Sequence, residues 1–202
     1  MADELILKQK LKLLIREAKR LGASDSAVIS SKEILVKNEL AALCNGAYPC
    51  PNYGLAASCP PNVGGPVEFN KWQTQSDYSI TVKIELPASV LFSDARKGVM
   101  QLLHEIVAAV EQKAIETGFV KSKAFAGGSC KELFCSDQEK CCVVTENTPC
   151  RHIESARPSM SGFGIDVTQL MISSGWPALK AKDTNLSDKD AASWVAGLIL
   201  VA

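Results

Sequence analysis

Eight cysteines are the residues of this 202-residue chain whose type and spacing point most directly to chemistry. Structural zinc sites usually pair cysteines closely, because one small tetrahedral ion needs its ligands from a tight turn, and no C-x-x-C occurs here. A cubane 4Fe-4S cluster is larger and accepts thiolates from several directions, so wide and uneven spacings suit it better. The pattern predicts one or two 4Fe-4S clusters, with zinc as the alternative, and the candidate ligands are Cys44, Cys50, Cys59, Cys130, Cys135, Cys141, Cys142 and Cys150.

The cysteines fall into an upstream group of three and a downstream group of five. Cys50 and Cys59 are each followed by proline, as is the last cysteine of bacterial ferredoxin motifs. Adjacent residues point in different directions in most backbone conformations, so Cys141 and Cys142 are not expected to bind one cluster. Either the two bind separate clusters or one of them is not a ligand. The simplest partition joins one of the pair to the other three downstream cysteines and the second to the three upstream cysteines.

Composition limits the compartment and the partners. The 22 basic and 22 acidic side chains cancel, so the basic field that nucleic-acid binding requires is missing. The first 22 residues lack the uninterrupted apolar region of a signal peptide, and no stretch is long and apolar enough to span a membrane. We expect a cytoplasmic protein with neither nucleic-acid nor membrane partners, in which cysteines bind metal more often than they form disulfides.

Helical and strand patterns alternate along the chain. Apolar residues recur at helical spacing before Gly22 and in a long segment that starts at Ser93 or Asp94 and ends at Gly118, and another helix is predicted near Ser159 or Asp166. Short apolar or alternating segments predict strands at 26–30, 33–36, 78–86, 122–127 and 193–202.

This alternation predicts an α/β fold in which residues 1–202 form a single domain. Strands separated by helices favour a mixed sheet that is at least partly parallel. The cysteines fall outside the regular elements, in two irregular inserts at about 44–66 and 127–158. We therefore expect the helices and strands to form a frame that supports the two inserts, and the inserts to bind the metal.

Charged and aromatic residues near the cysteines have two interpretations each. Arg151 and Arg157 can balance the negative charge of thiolates, or bind backbone carbonyl groups in a solvated loop. His152 can replace a cysteine as a ligand, although we expect it not to. His104 is expected to be a partly exposed residue of the long helix, and Tyr48 and Tyr53 to shield the upstream cysteines.

Two segments of the chain resemble the signatures of a known family. They are CPNYGLAASCPP (50–61) and PCRHIESARPSMSGFGIDV (149–167). Both are similar to motifs of the prokaryotic "predicted metal-binding protein" family, a domain of unknown function, and the resemblance covers nearly the whole chain. It implies metal binding, with an iron-sulfur cluster, at Cys44, Cys50, Cys59, Cys130, Cys135, Cys141 or Cys142, and Cys150.

Three functions are compatible with these observations. The leading hypothesis is a 4Fe-4S protein that transfers single electrons to a redox protein partner. The alternatives are a structural zinc module that binds a partner, and an iron-sulfur enzyme whose cluster is held by only three cysteines and binds substrate at its open iron.

Overall fold

The computed structural model describes residues 2–177 and 192–202, which form helices on both sides of one sheet. The strands are β1 (Asp25–Ser30), β2 (Tyr78–Pro87), β3 (Lys123–Phe125) and β4 (Ala192–Val201). The helices are α1 (Ala2–Arg20), α2 (Asn38–Ala42), α3 (Gly65–Gln73), α4 (Ala88–Leu91), α5 (Arg96–Glu116), α6 (Cys130–Phe134), α7 (Cys142–Thr145) and α8 (Val167–Ser173). Short 3-10 turns occupy Ser31–Glu33, Leu43–Asn45 and Met160–Phe163.

The four strands form an antiparallel sheet in the order β1-β2-β4-β3. The expectation of partly parallel pairing in this sheet is wrong. The Ser31 N–H donates to Asp77 O at 3.0 Å, so the long segment between β1 and β2 leaves and rejoins the sheet at the same end. Helices in that segment therefore do not carry the chain to the opposite end, as a parallel crossover requires.

Both faces of the sheet are covered. On one face α1 and α5 pack on apolar side chains of β2 and β4, including Ile80, Val82 and Ile199. On the other face α3, α8 and the turn at 160–163 pack on a second cluster that contains Phe69, Phe125, Phe163, Leu170 and Leu198. Such double coverage buries the central strands without help from the cysteines.

One glycine shows how closely α5 approaches the sheet. A Cβ atom built on Gly197 of β4 would overlap a methyl group of Val107 in α5. The glycine therefore permits a helix-to-strand contact that a larger residue would push apart. This contact keeps α5 close to β4 and, through β4, to the start of the second insert.

The predicted strands at 26–30, 78–86 and 193–202 are confirmed, and the strand at 122–127 is confirmed in its central part. Residues 33–36 do not form a strand, since Val36 makes a single bridge to Ile165. The last predicted helix begins after Asp166, whose carboxylate caps it by accepting from the Gln169 N–H at 3.0 Å. Helix α3 was not predicted, because its glycine and proline start resembles a loop.

Among the helices of residues 2–177, none is long and apolar enough to cross a membrane.

Candidate metal centre

The first insert is a series of tight turns anchored on its cysteines. The backbone N–H groups of Tyr53 and Asn62 donate to the carbonyl groups of Cys50 and Cys59 at 2.9 and 3.0 Å. The Cys50 N–H in turn donates to Cys44 O at 3.1 Å. Prolines and glycines that prevent a helix or strand here allow these turns, and the turns bring three distant cysteines together.

Cys44, Cys50 and Cys59 surround a small chamber of about 120 Å³. Burial raises the pKa of the Cys44 thiol, and the charges of Cys50 and Cys59 raise it further. Burial also raises the pKa of Cys59, against the opposing effect of two serine hydroxyl groups. The three sulfur atoms are therefore close enough to repel one another as thiolates, and a cation between them would relieve that repulsion. We call them the three-thiol set.

The second insert places four of its five cysteines at or next to the ends of short helices. Cys130 is the first residue of α6 and Cys135 follows its last residue. Cys141 directly precedes α7, and Cys150 lies in the loop that follows it. A parallel bridge between Ala126 and Ser159 joins the two stems of this insert.

Four of the five downstream thiols interact through their charges. Burial raises the pKa of Cys130 to about 11, and the charges of Cys150 and Cys59 add to the increase. Burial also raises the pKa of Cys135, which the charges of Cys150 and Cys141 raise further, while Arg151 lowers it. Cys130, Cys135, Cys141 and Cys150 are therefore neighbours, and we call them the four-thiol set.

Cys141 and Cys142 have different surroundings, although they are adjacent. Burial raises the pKa of Cys141, but hydrogen bonds from the backbone N–H groups of Ala57, Val144 and Val143 outweigh burial and leave the pKa lowered. Cys142 is buried, and its thiol donates to the carbonyl group of Pro149 at 3.5 Å. The surroundings of Cys141 thus favour the deprotonated form more than burial alone would, whereas the Cys142 thiol has a carbonyl group as its partner.

The two sets meet at Ser58. Its hydroxyl oxygen accepts from the Cys130 N–H at 3.3 Å and lies 3.7 Å from the Cys59 sulfur. Ser58 O also accepts from the Ser159 N–H at 2.9 Å, which ties the first insert to the end of the second. Cys59 and Cys130 consequently share one small buried cluster with Ala56.

Ser129 is a site residue that the sequence interpretation missed. It is 2% exposed, and among the described residues its hydroxyl oxygen completes no hydrogen bond. The hydroxyl group lies beside the Cys59 thiol, where it opposes the effect of burial on the pKa of that thiol. Ser58 and Ser129 each directly precede a cysteine, and this repeated Ser-Cys dipeptide was the available signal.

Two residues of α5 hold the stems of the second insert. The His104 Nε2 atom donates to Gly127 O at 3.0 Å, and its Nδ1 atom accepts from the Arg157 N–H at 3.1 Å. Two helical turns further along α5, the Glu111 carboxylate accepts from the Ala124 N–H and from Arg157 Nε, both at 2.6 Å. The expectation of a partly exposed His104 is wrong, since the side chain is fully buried.

The two arginine candidates have different roles. Arg157 binds Glu111 and the carbonyl groups of Ile153 and Ala156, so its contacts are structural. The positive charge of Arg151 acts to lower the pKa of Cys135 and of Cys141, which supports the interpretation that Arg151 balances thiolate charge.

The His152 ring stacks on Phe134 with 5.5 Å between ring centroids, and its backbone N–H donates to Cys150 Sγ at 3.4 Å. Tyr53 lines the three-thiol chamber, but Tyr48 is 95% exposed and does not shield it. His152 thus contributes a backbone donor at the sulfur of Cys150, and shielding of the upstream thiols comes from Tyr53.

The donor chemistry of both sets fits thiophilic metals. All eight cysteines are free thiols, and serine hydroxyl or backbone N–H groups lie beside the sulfur atoms of Cys59, Cys130, Cys141 and Cys150. Within residues 2–177 and 192–202, no three Cys, His, Asp or Glu side chains are positioned to hold one metal ion.

An α/β frame that carries two thiol-rich inserts defines a cysteine-rich protein of the metal-binding class. The family model described as "Predicted metal-binding protein (DUF2284)" matches residues 27–200, and the chain belongs to this family. The family resemblance seen in the sequence is confirmed. Comparisons with curated proteins and with solved structures return no match for this chain.

Proposed function

We propose that this protein binds iron-sulfur clusters at its two thiol sets and transfers single electrons to a redox protein partner. The observation that carries the proposal is the arrangement of Cys130, Cys135, Cys141 and Cys150, four thiols delivered from four different helix ends and loops. Their separations of four, five and eight intervening residues exceed the paired knuckles common in structural zinc sites. A cubane cluster takes one thiolate at each of four separated iron atoms.

Hydrogen bonds at sulfur also support a cluster. Backbone N–H groups of Ala57, Val143 and Val144 reach Cys141, and that of His152 reaches Cys150. Such donors stabilise added negative charge on sulfur and help to set the reduction potential of a cluster. A cluster bound here would supply one-electron chemistry, while the chain supplies ligands, donors and partial burial.

The thiols of the two sets differ in their access to solvent. Cys50 of the three-thiol set is exposed, whereas Cys59 and Cys130, where the sets meet, are buried. An electron can therefore enter or leave on the Cys50 side and pass between the sets at Ser58. We propose that the redox partner docks around Cys50.

The experiment is metal and acid-labile sulfide analysis of protein purified without oxygen. We expect equal iron and sulfide, and a loss of about half of both when Cys130 or Cys150 is replaced by serine in a two-cluster protein. Cys142→Ser is the matched control and should retain the full amount. Zinc without sulfide would overturn the proposal and support a zinc-stapled binding module instead.

A further inference from the structure

A cavity of about 370 Å³ lies between the start of α5 and the first insert. Cys50, Asn52, Gly128 and Ser129 line both this cavity and the three-thiol chamber. Because the two spaces share these walls, a molecule held in the cavity would lie directly beside the three-thiol set.

The cavity has an apolar part and a cationic part. Leu91, Met100 and Val195 contribute apolar lining, and Arg96 and Lys97 contribute positive charge. Its volume is at the small end of the range of about 300–1,000 Å³ that ligand pockets occupy. These features suit a small molecule with a short hydrocarbon chain and an anionic group.

The charges that face the cavity leave one cation in excess. Glu132 accepts from Arg96 at 2.9 Å and from Asn52 at 3.2 Å, so its negative charge is already compensated. Among the described residues, Lys97 forms an ion pair with Asp94 at 3.4 Å, and the Asp94 side chain is 99% exposed. Arg96 and Lys97 against Glu132 therefore favour an anion.

Two other cavities next to the thiols differ in their charges: the one beside Cys150 has a single cation in its lining, Arg157, which already binds Glu111. A cavity of about 390 Å³ beside Cys44 has Asp166 in its lining, and that carboxylate already binds Lys37 and caps α8. A cavity of about 320 Å³ beside Cys150 adjoins the set that has four thiols. Only three cysteines converge at the chamber next to the 370 Å³ cavity, and a cubane there keeps one iron atom without a cysteine ligand.

We propose that the cavity between α5 and the first insert binds a small aliphatic carboxylate, with the carboxylate near Lys97 and the hydrocarbon chain on Leu91 and Met100. The bound molecule lies beside the three-thiol set. The effect of the carboxylate on a cluster in the three-thiol set rests on the proposed function, whereas carboxylate binding itself does not.

The test is an NMR titration of anaerobically purified protein with hexanoate and with hexanamide, which has nearly the same size but no charge. We expect hexanoate to bind more tightly than hexanamide. Lys97→Gln should weaken hexanoate binding about threefold to fivefold, as expected for loss of one exposed charge contact, and should leave hexanamide unchanged. Leu91→Trp should weaken both ligands because it fills the cavity.

Lys113→Gln is the matched control, since Lys113 lies at the other end of α5 and also forms an i,i+3 ion pair, with Glu116. Equal affinities for the two probes, or equal effects of Lys97→Gln and Lys113→Gln on hexanoate, would overturn the carboxylate site.

Electron paramagnetic resonance of the reduced protein tests whether the bound carboxylate lies beside the three-thiol set. Hexanoate should change the spectrum of the cluster that is lost in Cys50→Ser and should leave the other cluster unchanged. Binding without any spectral change would overturn the placement beside the three-thiol set while preserving the carboxylate site. Iron and sulfide analysis of the same samples reports independently on the proposed function, so the two failures are distinguishable.

Discussion

At the scale of single residues, the adjacent pair Cys141 and Cys142 shows how backbone direction selects a ligand. Three backbone N–H groups converge on Cys141 and lower its pKa despite burial. The neighbouring thiol of Cys142 faces the Pro149 carbonyl group, which accepts a hydrogen bond from the thiol and has no hydrogen to donate to a thiolate. Of the two, Cys141 is therefore the residue prepared to bind metal.

Cys141→Ser and Cys142→Ser should consequently have different effects. We expect Cys141→Ser to lose the cluster of the four-thiol set, with about half of the iron and sulfide of a two-cluster protein. Cys142→Ser should keep both and lower stability by about 1 kcal/mol at most, because the serine hydroxyl can still donate to Pro149. Iron, sulfide and urea denaturation measured on both variants check this. Equal iron loss in the two would refute the assignment.

Ser129 is the second residue of interest, because its buried hydroxyl group has no hydrogen-bond partner among the described residues. A buried hydroxyl group without a hydrogen bond costs about 1–3 kcal/mol, and Ser129 lies beside the Cys59 thiol. A neutral thiol is a weak acceptor, whereas a metal-bound thiolate or sulfide is a stronger one. The cost is therefore relieved when the three-thiol set holds negatively charged sulfur.

Ser129→Ala should lower the reduction potential of the cluster in the three-thiol set. The serine hydroxyl donor stabilises the reduced cluster, which carries more negative charge, and alanine removes that donor. A contribution of about 1 kcal/mol corresponds to about 40 mV for one electron. A spectroscopic redox titration measures this shift. Ser122→Ala removes a buried serine that pairs with Ala202 and should leave the potential unchanged. A shift of equal size in both variants would contradict a specific role for Ser129.

At the scale of elements, helix α5 is the part that positions the second insert. His104 holds the backbone at Gly127 and Arg157, and Glu111 holds it at Ala124 and Arg157. These two side chains are seven residues apart and so lie on one face of the helix. The second insert therefore enters and leaves the fold at fixed points.

His104 should make folding depend on pH. Burial lowers its pKa to about 4, opposed by the bond to Gly127 and assisted by the charge of Arg157, whereas in the unfolded chain the pKa is about 6.5. Unfolding therefore takes up a proton between these values, and the contribution of His104, present above pH 6.5, is lost as the pH falls toward 4. The loss amounts to about 2 kcal/mol by pH 5.

The comparison that isolates this effect uses His104→Gln, which cannot titrate. Urea denaturation at about pH 7.5 and pH 5 should show a drop in the free energy of unfolding about 2 kcal/mol smaller in the variant than in the wild-type protein. Other acidic and basic groups, including Glu111 and Arg157, are present in both proteins and cancel in the difference. Parallel drops in the two proteins would show that His104 does not titrate as the burial predicts.

The sequence allowed the regular elements to be predicted better than their arrangement. Alternation at 78–86 and helical spacing at 93–118 are local patterns, and both elements formed close to the predicted bounds. Strand direction depends on where a long connection returns, which the contact between Ser31 and Asp77 decides. No local pattern reports such a contact, so the partly parallel sheet was predicted incorrectly.

The candidate site was predictable to a similar extent. Cysteine type and spacing predicted the two inserts, and in the structure a bridge joins Ala126 to Ser159 on either side of the second one. The environments of Cys141 and Cys142, the bridging role of Ser58 and the burial of His104 depend on contacts between residues far apart in sequence. Spacing alone does not determine such contacts.

At the scale of the whole molecule, the fold separates its stability from its metal chemistry. The two large apolar clusters lie on the two faces of the sheet and include residues from β2, β4 and α5. Cys59 and Cys130 belong to a third, small cluster with Ala56. The sheet and its helices thus have their own apolar cores, whereas the inserts depend on turns, a few side-chain contacts and the sulfur atoms.

Removal of the metal should therefore loosen the inserts without unfolding the frame. We expect chelation to accelerate backbone amide exchange at least about tenfold in residues 44–62 and 130–157, while exchange in β2, β4 and α5 stays slow. Hydrogen exchange followed by mass spectrometry, on protein kept free of oxygen before and after chelation, resolves these segments. Cys142→Ser, which should retain metal, is the control for thiol loss. Equal acceleration in the strands would show that the metal holds the whole fold together, because the cores on the two sheet faces would then be insufficient without it.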